Sequence, residues 1–174
     1  MNNSPSKVLI LGHSFVRRLK CDLNNQFDNR VSLDCGLQGT ATIYMHGIGG
    51  RTVSKLRRHD LNVVGRLSPQ VVILEIGTND LARGRPEVVG SEIEELVQLL
   101  LESFSVKVVG VCHVTPRDDR HALNKTFNTQ ALVLKSQPVC ACCFRTLLMS
   151  CFLLDPPRVF KAVSECISSW RCTF

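Results

Sequence analysis

Aromatic residues are scarce in this 174-residue chain: eight Phe, one Trp and one Tyr, 6% in all. No stretch interleaves them with basic side chains, so a base-stacking platform for single-stranded nucleic acid is absent from the pattern. No run of about 18 apolar residues occurs, which argues against a helical membrane span. Residues Met1–Lys7 lack the charged-then-apolar layout of a secretory leader, so an intracellular, cytoplasmic protein is expected. The nine cysteines are odd in number and six crowd the last 39 residues, a pattern that does not read as a disulfide framework. Cys140 and Cys143 have the spacing of half a zinc knuckle, but no second Cys-x-x-Cys or His pair follows, and no metal is expected.

Hydrophobic residues make up 44%, enough for one domain with a real core. The net charge is +6, with one local cluster at Arg51, Lys55, Arg57, Arg58 and Arg66. The simpler reading is a solvated helix face; the alternative is a surface for a phosphate-rich partner such as nucleic acid.

Three continuous apolar runs, Val8–Leu11, Val71–Ile76 and Val106–Val114, have no polar alternation and fit parallel strands covered on both faces. Val31–Leu33 and Ala41–Met45 are shorter strand candidates, with a glycine-containing turn over Asp34–Thr40 between them. A helix is expected from Ser14, with Phe15, Leu19 and Leu23 at four-residue spacing. A second is expected over Thr52–Arg66, with Val53, Leu56, Val63 and Val64 facing the core. Pro86 fits a third helix start, followed by Ile93, Leu96, Val97, Leu100, Leu101 and Phe104 on one face and Glu92, Glu94 and Glu95 on the other. Strands alternating with amphipathic helices imply an α/β fold whose right-handed crossovers gather the strand C-termini on one edge, where such folds bind ligands. Residues 1–6 read as a disordered N-terminus, 7–135 as the domain, and 136–174 as an atypical Cys-rich tail.

Four short segments follow strand candidates and should meet at that edge: Gly12-His13-Ser14, Gly47-Ile48-Gly49-Gly50, Gly77-Thr78-Asn79-Asp80 and Thr115-Pro116-Arg117. A serine at a strand-to-helix turn is exposed beside a helix N-terminus, which favours developing negative charge. Glycine lets a backbone N–H approach a substrate oxygen closely, and asparagine can donate from its side-chain amide. Alone, Ser14 is an ordinary helix cap, Gly49-Gly50 a turn and Asn79-Asp80 a loop opener; in this order they make three parts of an acyl-transfer site.

These segments resemble the SGNH hydrolase superfamily, the GDSL-type esterases and lipases. Leu9–Ser14 is similar to the family's first block, Gly47–Thr52 to its second, Ile76–Asp80 to its third, and Val114–Arg117 to the segment after its fourth strand. The wording Gly12-His13-Ser14-Phe15-Val16-Arg17-Arg18-Leu19 is closest to esterase-like domains associated with animal non-LTR retrotransposons. The resemblance implies a flavodoxin-like three-layer α/β/α fold, an ester substrate with an acetyl or short acyl group, no cofactor, Ser14 as nucleophile, and Gly50 and Asn79 as oxyanion donors.

Two positions depart from the family pattern. His13 stands where aspartate is common, a position that supports the turn; a base beside its neighbour Ser14 is the alternative reading. The family's Asp-x-x-His opens the last helix near the C-terminus, yet none of the five histidines follows His121. Asp118-Asp119-Arg120-His121 has the spacing but comes directly after the fourth strand, so it reads as a polar loop and helix start, with rescue by Asp118 and His121 the alternative. The expectation is a domain lacking its last strand and helix and weakly active or inactive, or a non-catalytic binding module, nucleic-acid associated, in a retroelement-derived protein.

Overall fold

The structure, a computed structural model, describes residues 5–26, 41–81 and 86–112. Its elements alternate: β1 (Ser6–Gly12), α1 (Ser14–Gln26), β2 (Ala41–Gly47), α2 (Val53–His59), α3 (Leu61–Leu67), β3 (Val71–Glu75), α4 (Pro86–Ser103) and β4 (Val108–Val111). The four strands form one parallel sheet in the order β2-β1-β3-β4. That order, with its reversal beside β1, is that of a flavodoxin-like sheet.

Side chains alternate across each strand, and the two faces carry two cores. Leu9, Leu11, Val72, Leu74, Val109 and Val111 pack with the apolar stripes of α2, α3 and α4 on one face. Val8, Ile10, Ile43, Met45 and Ile73 pack with Val16 and Leu23 of α1 on the other. Burial on both faces explains why the strands read as unbroken apolar runs. Among the described residues no helix is long and apolar enough to cross a membrane.

Among the described residues the expected elements form, and three differences stand out. The deepest contact of α1 is Val16, 1% exposed, rather than Phe15, because the helix turns that face toward Gly47. The helix expected over Thr52–Arg66 is two helices that meet at Asp60. Asp60 closes α2 by donating its N–H to the Leu56 carbonyl, and its own carbonyl accepts the Val63 N–H at the start of α3. A buried carboxylate that must face Arg51 sets this break, and hydrophobic periodicity does not register it. The third strand ends at Glu75, one residue before the apolar run does. The Val31–Leu33 strand, the Asp34–Thr40 turn and the 136–174 tail lie outside the described residues, as does any missing strand or helix.

Two glycines let α1 and the sheet approach. A Cβ on Gly12 would collide with the Glu75 carbonyl oxygen; one on Gly47 would collide with the Arg17 backbone N and lie 2.8 Å from the His13 carbonyl oxygen. Backbone atoms cannot swing aside as a flexible side chain can. Gly47→Ala is therefore expected to destabilise the fold by about 3 kcal/mol in urea unfolding, the upper part of the range for overpacking. Gly49→Ala, whose added methyl meets only the Arg17 guanidinium at 3.7–3.8 Å, is expected to cost less than about 1 kcal/mol. Equal costs at the two positions would contradict this account of the contact.

Candidate active site

Three loops leave the sheet at one level. Gly12, the last residue of β1, pairs with Gly47 of β2 on one side and Glu75 of β3 on the other. Neighbouring strands lie about 4.8 Å apart, so the loops after them start as near neighbours. Backbone bonds tie them together: Ile48 N–H donates to the Gly12 carbonyl at 3.1 Å, and His13 N–H to the Glu75 carbonyl at 3.3 Å. Ser14, Gly50 and Asn79 sit in these three loops. Asp118 and His121, like His113 and Thr115-Pro116-Arg117, lie outside the described residues.

Ser14 is the first residue of α1 and is partly exposed. The residue before it is turned inward. His13 is 4% exposed, its Nδ1 accepts the Phe15 N–H at 3.2 Å, and its Nε2 lies 3.0 Å from Oε2 of the buried Glu75. An Nδ1 that accepts leaves the ring proton on Nε2, which lies beside the carboxylate at ion-pair distance but without hydrogen-bond geometry. The one ring lone pair is thereby engaged by the Phe15 N–H. The imidazole acts as the helix-start acceptor that an aspartate would supply, and it has no lone pair left to take a proton from Ser14.

Gly50 occupies the third position of a turn closed by Arg51 N–H donating to the Ile48 carbonyl at 3.4 Å. Its φ of +70° is the left-handed conformation that favours glycine at such a turn position. Gly50 is exposed, and no acceptor among the described residues takes its N–H.

The Asn79 side chain reaches across to this loop. Its Nδ2 donates to the Arg51 carbonyl at 2.8 Å. An amide carries two N–H donors, so fixing one of them fixes the direction of the other. Beside it Asp80, 1% exposed, accepts the Val53 N–H on both carboxylate oxygens, at 3.1 and 3.2 Å. It thus braces the loop after β3 against the N-terminus of α2, where a negative charge is favoured. Thr52 completes that helix start by accepting the Lys55 N–H at 3.3 Å.

Sequence reasoning missed two carboxylates. Asp60 holds Arg51 through Nε at 2.7 Å and Nη2 at 2.9 Å, and His46 Nε2 approaches it at 3.5 Å. Glu75 ends β3 beneath the Ser14 loop; the one signal for it was a single acidic residue inside an apolar strand. Burial, with the Glu75 charge adding to it, pushes the Cys112 thiol far above its ordinary pKa. The folded chain thus favours the neutral thiol, a preference present below the ordinary thiol pKa and lost as pH rises above it. Among the described residues no group of three or more His, Cys, Asp or Glu could hold a metal ion. The basic cluster is also less open than its charges imply. Arg51 is spent on Asp60 and Arg57, itself exposed, pairs with Glu95 at 2.7 Å; Lys55, Arg58 and Arg66 are also exposed.

Residues 10–136 match the GDSL-like Lipase/Acylhydrolase family. No curated protein sequence matches the chain. Among solved structures it is similar to the psychrotrophic esterase EstA from a Pseudoalteromonas species, solved in a form inhibited by monoethylphosphonate. The TM-score is 0.62 at 16% identity, covering 97% of this chain and 100% of that one. It is also similar to TesA, with a TM-score of 0.61 at 14% identity over 95% of this chain and 99% of that one. A GDSL-like lipase from Bacteroides thetaiotaomicron gives 0.50 at 15% identity, over 98% of this chain and 67% of that one. At these identities the structural likeness shows the fold.

Two outcomes are expected of the buried groups. His13→Ala removes the ion-pair contact of the buried Glu75 carboxylate and the acceptor of the Phe15 N–H and should lower stability by about 3 kcal/mol, whereas Glu75→Gln, which keeps the volume and the Phe15 bond, should cost about 1 kcal/mol. Chemical denaturation of both variants checks this, and the reverse order would contradict it. Iodoacetamide at pH 8 should alkylate the exposed Cys21 in the folded protein and leave Cys112 unlabelled until denaturant is added; peptide mapping that finds Cys112 labelled at the rate of Cys21 would contradict its burial.

Proposed function

The chain belongs to the GDSL-like lipase/acylhydrolase family, and from that premise we propose that it is a serine esterase of the SGNH type acting on carboxylic esters with acetyl or short acyl groups. Ser14 Oγ attacks the ester carbonyl carbon and its proton passes to a base. The oxyanion that forms is held by the Ser14 and Gly50 backbone N–H groups and the second N–H of Asn79. The alcohol leaves with a proton, and water then attacks the acyl-serine to release the acid and restore the hydroxyl. No metal or organic cofactor enters these steps.

The observation that carries the reading is the Asn79 bond to the Arg51 carbonyl. It ties the loop after β3 to the residue following Gly50, so two donors from distant parts of the sequence are fixed relative to each other. Donors set in place before reaction stabilise charge without reorganising, and one such donor is worth about 10²–10³ in kcat.

The base is the weak point of the machinery. The Nδ1 lone pair of the buried His13 already accepts the Phe15 N–H, and this sequence has no Asp-x-x-His after Asp118–His121. Without a base, what remains is the residual rate due to oxyanion stabilisation and binding. We therefore assign this form weak turnover. The same observation favours a second reading, a non-catalytic module that keeps the fold and binds a partner, with nucleic acid met by Lys55, Arg58 and Arg66.

Hydrolysis of p-nitrophenyl acetate by the wild type, Ser14→Ala, Asn79→Ala and His121→Ala separates these readings. A slow rate abolished by Ser14→Ala and cut by about 10² or more by Asn79→Ala is expected, with His121→Ala unchanged. Loss in His121→Ala as well would restore His121, with Asp118, as the base. Turnover indifferent to Ser14→Ala would remove the serine mechanism, and salt-dependent RNA binding without turnover would favour the module.

A further inference from the structure

We infer that Asp60, which lies in neither the serine loop nor the two donor loops, is the positioning residue that sets the oxyanion donors, acting through Arg51. The inference rests on the esterase reading for its catalytic consequence and on geometry alone for its structural one.

Asp60 is 3% exposed and stands at the junction where α2 stops and α3 begins. Its carboxylate takes Arg51 as a fork, Nε to Oδ2 at 2.7 Å and Nη2 to Oδ1 at 2.9 Å. A bidentate pair fixes orientation as well as distance, which one ammonium contact would not. Clamping the Arg51 side chain restrains the backbone at that residue, and two groups depend on that backbone. The Arg51 carbonyl is the acceptor that holds the Asn79 amide at 2.8 Å. The Arg51 N–H closes the turn that gives Gly50 its positive φ. One carboxylate therefore governs both the second N–H of Asn79 and the N–H of Gly50.

The arrangement is not required merely to end a helix. Asp60 makes no side-chain cap bond to α3; α2 is started by Thr52 and Asp80 instead. Its carboxylate is spent on Arg51, with His46 Nε2 at 3.5 Å as the other group facing it. Nor does Arg51 shield the charge from outside: it is itself largely covered, with a side chain 19% exposed. A buried carboxylate costs free energy unless its partner is held well, so the pair locks as a unit.

The test uses the full chain as wild type, Asp60→Ala, Arg51→Ala and the double variant, with Asp60→Asn as the conservative change. Every variant keeps the Arg51 carbonyl and changes only what orients it. Amide hydrogen exchange and ¹H–¹⁵N spectra report the donors directly. Exchange at Arg51, whose N–H closes the turn, should rise about tenfold or more, the Gly50 amide signal should shift as its φ is released, and the Asn79 side-chain pair should move toward the position of a solvated amide. Leu9 and Val72 in the sheet should be unchanged. Asp60→Asn, which keeps one acceptor, should fall between. In Ser14-dependent turnover of p-nitrophenyl acetate, kcat should fall about 10–100-fold with KM within about twofold, and the double variant should be no worse than either single one, as expected of residues acting as one unit. Unchanged Gly50 and Asn79 signals, additive losses, or a fall shared equally with exchange in the sheet would overturn the inference. Donors that loosen on the Asp60 and Arg51 changes in a protein with no Ser14-dependent turnover would uphold the positioning and sink the esterase reading instead.

Discussion

Everything at the upper rim follows from the pairing of β1 with both of its neighbours in one register. Gly12 meets Gly47 on one side and Glu75 on the other, and the absence of side chains at both glycines lets the start of α1 sit directly on the strand ends. A slip of one residue would invert every side chain in β1 and pull the core apart. The two hydrophobic layers that fix this register therefore also fix where Ser14, Gly50 and Asn79 leave the sheet. Core packing and site geometry are here a single constraint.

Beneath the rim, buried polar pairs do what apolar packing cannot. His13 and Glu75 hold the first turn of α1, Asp80 joins the third loop to α2, and Asp60 holds the second loop through Arg51. The first two link segments far apart in sequence, the third closes a nine-residue span, and all three carboxylates are nearly inaccessible. In a low-dielectric setting buried polar contacts of this sort narrow the conformations available to the segments they join. The site is thus framed by three carboxylates, none of which touches the reacting atoms.

Much of the fold was legible because both faces of the sheet are covered. The apolar run Val8–Leu11 of β1 carried no polar residue, that of β3 carried only Glu75 near its end, and α4 showed its stripe from Ile93 to Leu100 in plain helical spacing. The three loops of the candidate site were legible because glycine, serine and asparagine stood just past strand ends. What could not be read was the use of polar residues by tertiary contact. Asp60 looked like one more charge in a helical window, yet it breaks that window to meet Arg51. Arg51 counted toward a basic surface patch, yet it is turned inward. His13 stood where aspartate is common, and only the contact with Glu75 shows how an imidazole fills the place. Periodicity reports which side of an element is apolar; it has no term for which buried charge finds which partner.

The central claim is that a hydroxyl on one loop faces donors fixed on two others. A crystal structure of the protein after treatment with a p-nitrophenyl alkylphosphonate tests it most directly, because the adduct copies the tetrahedral intermediate. The account predicts phosphorus bonded to Ser14 Oγ, with one phosphonyl oxygen about 3 Å from both Gly50 N and Asn79 Nδ2. A reagent bound elsewhere, or a Ser14 left unmodified with its loop turned away from the other two, would contradict it.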